Sequence, residues 1–256
     1  MRHRIDRSIV ASSLVVVLIA IAGLRAATAA TTTYTIVAGG APVTVTIGSS
    51  GDDAAVLFDG TAGQRVSLKM SSVTIGTSSC CSTKVSILKP DGTTLVLPTN
   101  VGTTGGFIDA TTLPATGSYT IFVDPQSTAT GNMTLTLYDV PADAAGTITP
   151  GGASVTVSPA TPGQNARLTF SGSAGGRISL KIGPTCCSTK VSILKPDGAA
   201  LVAATSFGTA GGFIDTKVLP VSGTYAIVVD PQSSATGSVT LTLYNVPADV
   251  SRTIVP

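Results

Sequence analysis

The sequence predicts an all-β protein: two tandem antiparallel β-sandwich domains that follow a signal peptide. Three observations support this: the composition, a set of alternating apolar runs, and a long internal duplication. All 13 acidic residues are Asp, and Thr, Ser, Val and Gly are abundant. Glu, Lys, Arg and Leu favour helices, whereas β-branched residues and turn formers favour sheets, so this composition indicates strands joined by turns.

The first 29 residues have the three parts of a secretory signal peptide. Arg2, Arg4 and Arg7 form a positive start, residues 9–24 are uncharged and mostly apolar, and Ala27 to Ala29 provide a small-x-small cleavage pattern. An uncleaved membrane anchor is the alternative, but the apolar run is shorter than the roughly 20 residues that span a bilayer comfortably. We expect cleavage near Ala29 and a secreted protein, extracellular or at the cell surface.

The charge of the mature chain limits its partners. Removal of residues 1–29 leaves 11 basic and 12 acidic side chains, with no cluster of Lys or Arg. Nucleic acids and anionic membranes are bound through basic patches. The sequence therefore predicts no nucleic-acid partner and no membrane partner after signal cleavage.

The chain contains one long sequence twice. Residues 80–150 match residues 186–256 at an offset of 106, whereas the parts upstream match at an offset of 112. The difference falls between Met70 and Cys80, where "SSVTIGTSS" in the first copy corresponds to "GPT" in the second. Such a length change indicates a loop. Each copy has the size of one β-sandwich, so we predict domains at residues 30–145 and 146–256.

Alternation of apolar and polar residues predicts the strands, about eight in each copy. Between two of these runs, Lys89 to Gly92 read "KPDG", in which Pro, Asp and Gly each suit a position of a tight turn, so we predict a hairpin there. The clearest runs in the first copy begin at Val43, Arg65, Lys84, Ser118 and Met133.

Three motifs resemble the bacterial pre-peptidase C-terminal (PPC) domain family. They are "LTFSGSAGGRISLKI" from Leu168, "VSILKPDGAAL" from Val191 and "FIDTKVLPVSGTYAIVVDP" from Phe213, and they recur in the first copy. The resemblance implies a secreted, non-catalytic, jelly-roll-like β-sandwich that is often appended to peptidases or other exported proteins. Related collagenase modules bind collagen and calcium, but the acidic cluster expected for calcium is missing here.

The residues needed for common hydrolytic sites are scarce. The only histidine is His3, within the predicted signal peptide, and the chain has no Glu. Triads that use His are therefore impossible in the mature chain. A carboxylate pair among Asp109, Asp124 and their counterparts Asp215 and Asp230 is the alternative, but Asp at strand ends usually caps turns. We predict no enzyme activity and no cofactor.

Asp52 and Asp53 raise the question of calcium, which binds six to eight oxygen ligands. The second copy has Gln164 and Asn165 at these positions, so a solvated turn is the favoured interpretation and no metal site is predicted.

Tyr119 and Tyr225, at equivalent strand starts, are expected to pack their rings in the sandwich and bond their hydroxyls to backbone; stacking on a ligand is the alternative. The equivalent Arg65 and Arg177 are expected at the surface or at an edge.

Four cysteines, Cys80, Cys81, Cys186 and Cys187, form two adjacent pairs. In an exported chain we expect disulfides, with three possible pairings. Because each copy keeps its own pair, Cys80–Cys81 and Cys186–Cys187 are favoured, and bridges between the copies remain open. Each bridge would be a local staple of its loop, or an exposed rigid knob that contacts a ligand.

These features predict a secreted, non-catalytic accessory module that binds an extracellular polymer or a cell-surface component through two repeats. The alternatives are a structural spacer, or the N-terminal part of a larger exported protein such as a peptidase or repeat protein. Val246 to Pro256 resemble the start of the linker after the first copy, so further domains of a longer chain are possible partners. The ligand itself is not predicted.

Overall fold

The computed structural model of the protein describes residues 29–185 and 187–249. The predicted signal peptide, apart from Ala29, lies outside these ranges, as do Cys186 and residues 250–256. Within the described ranges the regular secondary structure consists of β-strands alone, which confirms the all-β prediction. These ranges contain no helix that is long and apolar enough to cross a membrane.

Nine strands form the first unit, and nine equivalent strands form the second. The first nine are β1 Thr31–Thr35, β2 Val43–Ile47, β3 Asp53–Gly60, β4 Arg65–Ser71, β5 Thr83–Leu88, β6 Thr94–Val101, β7 Gly106–Thr112, β8 Gly117–Pro125 and β9 Gly131–Asp139. The second nine are β10 Ala144–Thr147, β11 Val155–Val157, β12 Ala166–Gly172, β13 Arg177–Thr185, β14 Thr189–Leu194, β15 Ala200–Phe207, β16 Gly212–Val218, β17 Gly223–Pro231 and β18 Val239–Asn245.

The two units share one topology. In the first, a five-stranded sheet has the order β1-β3-β8-β5-β6 and a four-stranded sheet the order β2-β9-β4-β7. The second repeats both orders as β10-β12-β17-β14-β15 and β11-β18-β13-β16. The pairing is antiparallel except at one edge of each five-stranded sheet, where β1 runs parallel to β3 and β10 parallel to β12. This parallel edge departs from the purely antiparallel expectation.

The predicted hairpin is present between β5 and β6. The Gly92 amide donates to the Lys89 carbonyl at 2.9 Å, and Gly92 has a φ of +78°, which favours glycine. Asp91 accepts hydrogen bonds from the Thr93 amide and hydroxyl at 2.9 and 2.6 Å. Local turn chemistry therefore sets the register of this strand pair.

Each unit has its own apolar core, and a buried tyrosine is central to each. Tyr119 stacks on Phe58, and Tyr225 on Phe170, with ring centroids 5.3 Å apart in both cases. The Tyr119 hydroxyl donates to the Ala115 carbonyl at 2.7 Å. The Tyr225 hydroxyl makes the equivalent bond to Val221, so the expected role of both tyrosines is confirmed.

The extra six residues of the first copy fold against the unit instead of projecting from it. The Thr74 amide donates to the Asn132 carbonyl at 2.8 Å, and Val73 and Ile75 are buried. In the second copy β13 continues directly to Thr185. The predicted domain boundary between residues 145 and 146 falls inside β10, and the domain limits stay predictions.

Candidate functional site

A groove forms at the same place in both units, where the chain leaves the parallel edge strand and crosses to the four-stranded sheet. In the first unit, the Ile36 amide still pairs with the Leu57 carbonyl at 2.9 Å. The chain then turns, and the Gly39 amide donates to the Leu137 carbonyl of the other sheet at 2.8 Å. In the second unit, Ile148 pairs with Thr169, and Gly151 with Leu243, at the same two distances.

These crossover grooves enclose about 470 Å³ in the first unit and about 420 Å³ in the second, within the usual range of ligand sites. Seven positions of their linings correspond, and Pro150 is an additional lining residue of the second groove. The first is lined by Thr35, Ile36, Val37, Leu57, Phe58, Asp59 and Ser118, and the second by Thr147, Ile148, Thr149, Pro150, Thr169, Phe170, Ser171 and Thr224.

The crossover leaves backbone groups available in each groove. Pairing of β1 with β3 ends at Thr35 and Leu57, but β3 continues to Gly60. The backbone amide and carbonyl groups of successive residues in a strand point to opposite sides, so residues two apart point to the same side. The amide and carbonyl of Asp59 therefore point in the same direction as the Leu57 carbonyl, into the groove. Ser171 has the equivalent position in the second unit. Each groove thus combines a short strand edge with hydroxyl groups and an isoleucine.

Sequence reasoning missed these grooves. The available signal was the duplicated "GG" at Gly39 and Gly151, where a positive φ of +75° and +77° lets the chain turn between sheets. The pattern marks a turn, but the pairing that leaves a strand edge open depends on residues far away in the chain.

The double-cysteine segment of the first unit borders a different groove of about 580 Å³, separate from the two crossover grooves. Cys80 and Cys81 are exposed thiols, and Cys81 has a φ of +72°, uncommon outside glycine. A hydrogen bond with the neighbouring Cys80 side chain is the main reason why the pKa of Cys81 is raised. The segment is anchored by Ser82, whose hydroxyl donates to the Ile75 carbonyl at 2.7 Å. The expected disulfide stays a prediction.

The second unit presents its cysteine segment differently. Cys187 is half-buried, and its carbonyl accepts hydrogen bonds from the hydroxyls of Thr185 and Thr189 at 2.6 and 3.2 Å. The six extra residues of the first unit therefore change the surroundings of an otherwise identical sequence.

The aspartates considered for a carboxylate pair have structural contacts. Asp109 and Asp215 each accept a hydrogen bond from the next amide in the chain at 2.7 Å. Burial, followed by the charge of Asp109 in the other unit, raises the pKa of Asp230. Asp109 and Asp230, which belong to different copies, are thus close enough for their charges to interact.

Asp52 caps the turn that precedes β3. Its carboxylate accepts hydrogen bonds from the Ala30 amide at 3.0 Å and the Ser49 amide at 3.2 Å. Burial, then the charges of Asp124 and Asp52, raises the pKa of Asp53. In residues 29–185 and 187–249, no group of three or more His, Cys, Asp or Glu side chains could hold a metal ion.

Arg65 and Arg177, expected at the surface or at an edge, begin strands inside the four-stranded sheets and keep 25% of each side chain exposed at the surface. Arg65 bonds to Asp143 at 2.7 Å and to the Pro141 carbonyl at 3.2 Å, and Arg177 bonds to Asp249 at 3.0 Å. These arginines hold the segment that leaves each unit.

No family model matches the sequence, and no curated protein matches it. Among solved structures, the pre-peptidase C-terminal domain of a collagenase from Bacillus anthracis is similar, with a TM-score of 0.34 and 11% identity over 41% of this chain and 99% of that one. PliG from Aeromonas hydrophila, a periplasmic inhibitor of g-type lysozyme, has a TM-score of 0.30 and 20% identity over 40% and 99% of the two chains. The CUB1-EGF-CUB2 region of human MASP-1/3 has a TM-score of 0.25 and 10% identity over 80% and 100%. Membership of both units in the pre-peptidase C-terminal family stays a prediction.

Proposed function

We propose that the chain is a secreted, non-catalytic module that binds an extracellular polymer or a cell-surface component through its two crossover grooves. The observation that carries this proposal is that one groove, with equivalent lining and similar volume, is formed twice. A polymer repeats its chemical groups, so it can occupy two equivalent grooves at once. The second binding event is then intramolecular, and the apparent affinity exceeds that of a single groove.

The chemistry of the grooves suits a polar, extended ligand. Asp59 and Ser171 offer backbone amide and carbonyl groups, and the surrounding Thr and Ser residues offer hydroxyls that both donate and accept. Val37 is 71% exposed at one rim and adds a small apolar contact. Residues 1–29 combine a positively charged start, an apolar run and a small-residue cleavage pattern, and this combination supports export.

The test uses depletion of the secreted protein from solution by insoluble cellulose, chitin, peptidoglycan and gelatin. Ser118→Arg and Thr224→Arg would each fill one groove, because both residues are exposed at equivalent positions of the lining. We expect each single variant to weaken binding roughly 100-fold, within the range for loss of avidity, and the double variant to abolish it.

The matched control variants are Asn100→Arg and Ser206→Arg. Both residues are exposed at equivalent positions of β6 and β15, at the other edge of each five-stranded sheet. These variants should bind as the wild type does. Equal loss of binding in the control variants would contradict the proposal.

One observation favours the alternative function of a spacer. On the four-stranded sheet of the second unit, hydroxyls on or next to β11 and β18 pair with each other at 2.8 Å, as in Thr156 with Thr240 and Ser158 with Ser238. Hydroxyls that pair in this way leave the β11 edge of this sheet with few free groups for a ligand. A protein that binds none of the four polymers would support the spacer.

A further inference from the structure

The two units contact each other through a turn and a sheet face. The turn comprises Thr161 to Gln164 of the second unit, and we name it head turn 2. The Ser67 hydroxyl of the first unit donates to the Pro162 carbonyl at 2.7 Å. Gly163 approaches so closely that an added Cβ would lie 3.0 Å from the Ser67 Cβ and 3.2 Å from Asp109 Oδ1. Head turn 2 therefore lies on the outer face of the sheet that contains β4 and β7.

The first unit has an equivalent turn, Ser49 to Asp52, which we name head turn 1. Gly51 has a φ of +85°, as Gly163 has +83°. The Asp52 amide donates to the Ser49 carbonyl at 3.2 Å, as Gln164 does to Thr161 at 2.8 Å. Ser49, Ser50 and Gly51 are exposed, so head turn 1 has the conformation of head turn 2 but is not covered by the described part of the chain.

The second unit likewise repeats the receiving face, which we name tail face 2 and define by Ser179, Lys181, Phe213, Asp215 and Tyr244. Ser179 lies opposite Tyr244, as Ser67 lies opposite Tyr138 in the first unit. Asp215 occupies the position of Asp109. Within residues 29–185 and 187–249, one turn and one face are thus engaged with each other, while the equivalent turn and the Phe213 and Tyr244 rings of the equivalent face are exposed and Ser179 lies buried beneath that face.

Tail face 2 is the more apolar of the two faces at its surface. Phe213 is 53% exposed and Tyr244 is 39% exposed, and their ring centroids are 6.3 Å apart. The counterparts Phe107 and Tyr138 are half-buried. Neighbouring Val218 is 57% exposed where the first unit has a threonine. Clustered exposed apolar groups mark interaction surfaces.

Charged side chains lie on both exposed surfaces. Head turn 1 ends in Asp52 and continues with Asp53, where the second unit has the neutral Gln164 and Asn165. Tail face 2 contains Asp215 and the exposed Lys181, which lies opposite Phe213. Lys181 can attract the carboxylates of head turn 1, and opposite charges on facing surfaces fix the orientation of a contact.

We propose that tail face 2 binds head turn 1 of a second copy of this chain, so that copies assemble head to tail. Such a contact uses two different surfaces, so each copy added leaves one of each exposed. Assembly is then open-ended, giving linear chains instead of closed dimers. Each added copy would bring two more crossover grooves into the same assembly.

The test is sedimentation velocity of the secreted protein over a concentration series at low and high salt. We expect the weight-average sedimentation coefficient to rise with concentration beyond the dimer value, and to fall with added salt because salt screens the attraction between Lys181 and the carboxylates of head turn 1. Two variants separate the surfaces: Gly51→Arg blocks head turn 1, and Phe213→Asp blocks tail face 2. Each alone should be monomeric, whereas an equimolar mixture should form 1:1 dimers that do not grow, since only one productive contact remains.

Matched variants control for folding and for nonspecific charge effects. Gly92→Arg also places a side chain on a turn glycine with positive φ, where nothing lies within 4 Å of an added Cβ. Leu97→Asp places a charge at a residue that is 76% exposed on β6. Both should associate as the wild type does. Circular dichroism melts verify that all four variants fold.

Three results would overturn the proposal. The first is a wild-type protein that stays monomeric at every concentration. The second is association of Gly51→Arg alone, which would indicate a contact between two tail faces. The third is a mixture of the two blocked variants that contains only monomers.

Discussion

The Ser67 hydroxyl of the first unit donates a 2.7 Å hydrogen bond to the Pro162 carbonyl of the second, and this bond joins residues 95 positions apart. We expect Ser67→Ala to lower the free energy of unfolding by about 1 kcal/mol, because the carbonyl loses its donor in a partly buried junction. Urea denaturation measures this change. Ser179→Ala is the matched variant in the second unit and should cost less; an equal cost would show that the junction is not the cause.

The buried tyrosine hydroxyls should contribute equally to the two units. Tyr119→Phe and Tyr225→Phe each remove a 2.7 Å bond to a backbone carbonyl. We expect each to lower the free energy of unfolding by about 1–2 kcal/mol, because the carbonyl remains without its partner. Thermal and urea unfolding measure the loss. Tyr244→Phe alters an exposed ring and should stay within about 0.5 kcal/mol of wild type.

Asp230 should make stability depend on pH. Burial and the charge of Asp109 raise its pKa, so the folded state binds a proton more readily than the unfolded state. Its contribution to stability therefore falls as pH rises from the ordinary Asp pKa through the raised pKa. We expect Asp230→Asn to be more stable than wild type at pH 7, and the difference to close as pH falls towards about 4.

Asp91 provides a control of opposite sign for this pH experiment. Hydrogen bonds from Thr93 lower the pKa of Asp91, so its stabilisation is present at neutral pH and is lost as pH falls through the lowered pKa. Asp91→Asn should be less stable than wild type at pH 7. If both variants change in the same direction at pH 7, the argument from Asp230 is wrong.

The cysteine pairs can be tested by mass. In an oxidising compartment we expect Cys80 to pair with Cys81, and Cys186 with Cys187. The secreted protein should resist alkylation until it is reduced, and reduction should then allow modification of all four cysteines. Peptide mapping distinguishes this pairing from bridges between the units. Alkylation without reduction would contradict every disulfide pairing.

What the sequence by itself determined is the local and the repeated part of the structure. Alternating residues predicted strands, the Lys89 to Gly92 turn predicted a hairpin, and the tyrosines at equivalent strand starts predicted buried rings with bonded hydroxyls. These features depend on neighbours in the chain, or on a pattern that is present twice.

Only the tertiary structure decided the remaining features. The parallel pairing of β1 with β3 leaves the edge of Asp59 open and so creates a groove. Arg65 is held by Asp143, 78 residues away, and Ser67 meets Pro162. Such contacts form when strands that are distant in the sequence pair and when two units pack against each other. The local alternation of residues does not indicate which strands will pair. The fold class was therefore readable from the residues, whereas the surfaces proposed to bind a polymer and a second copy depend on long-range pairing.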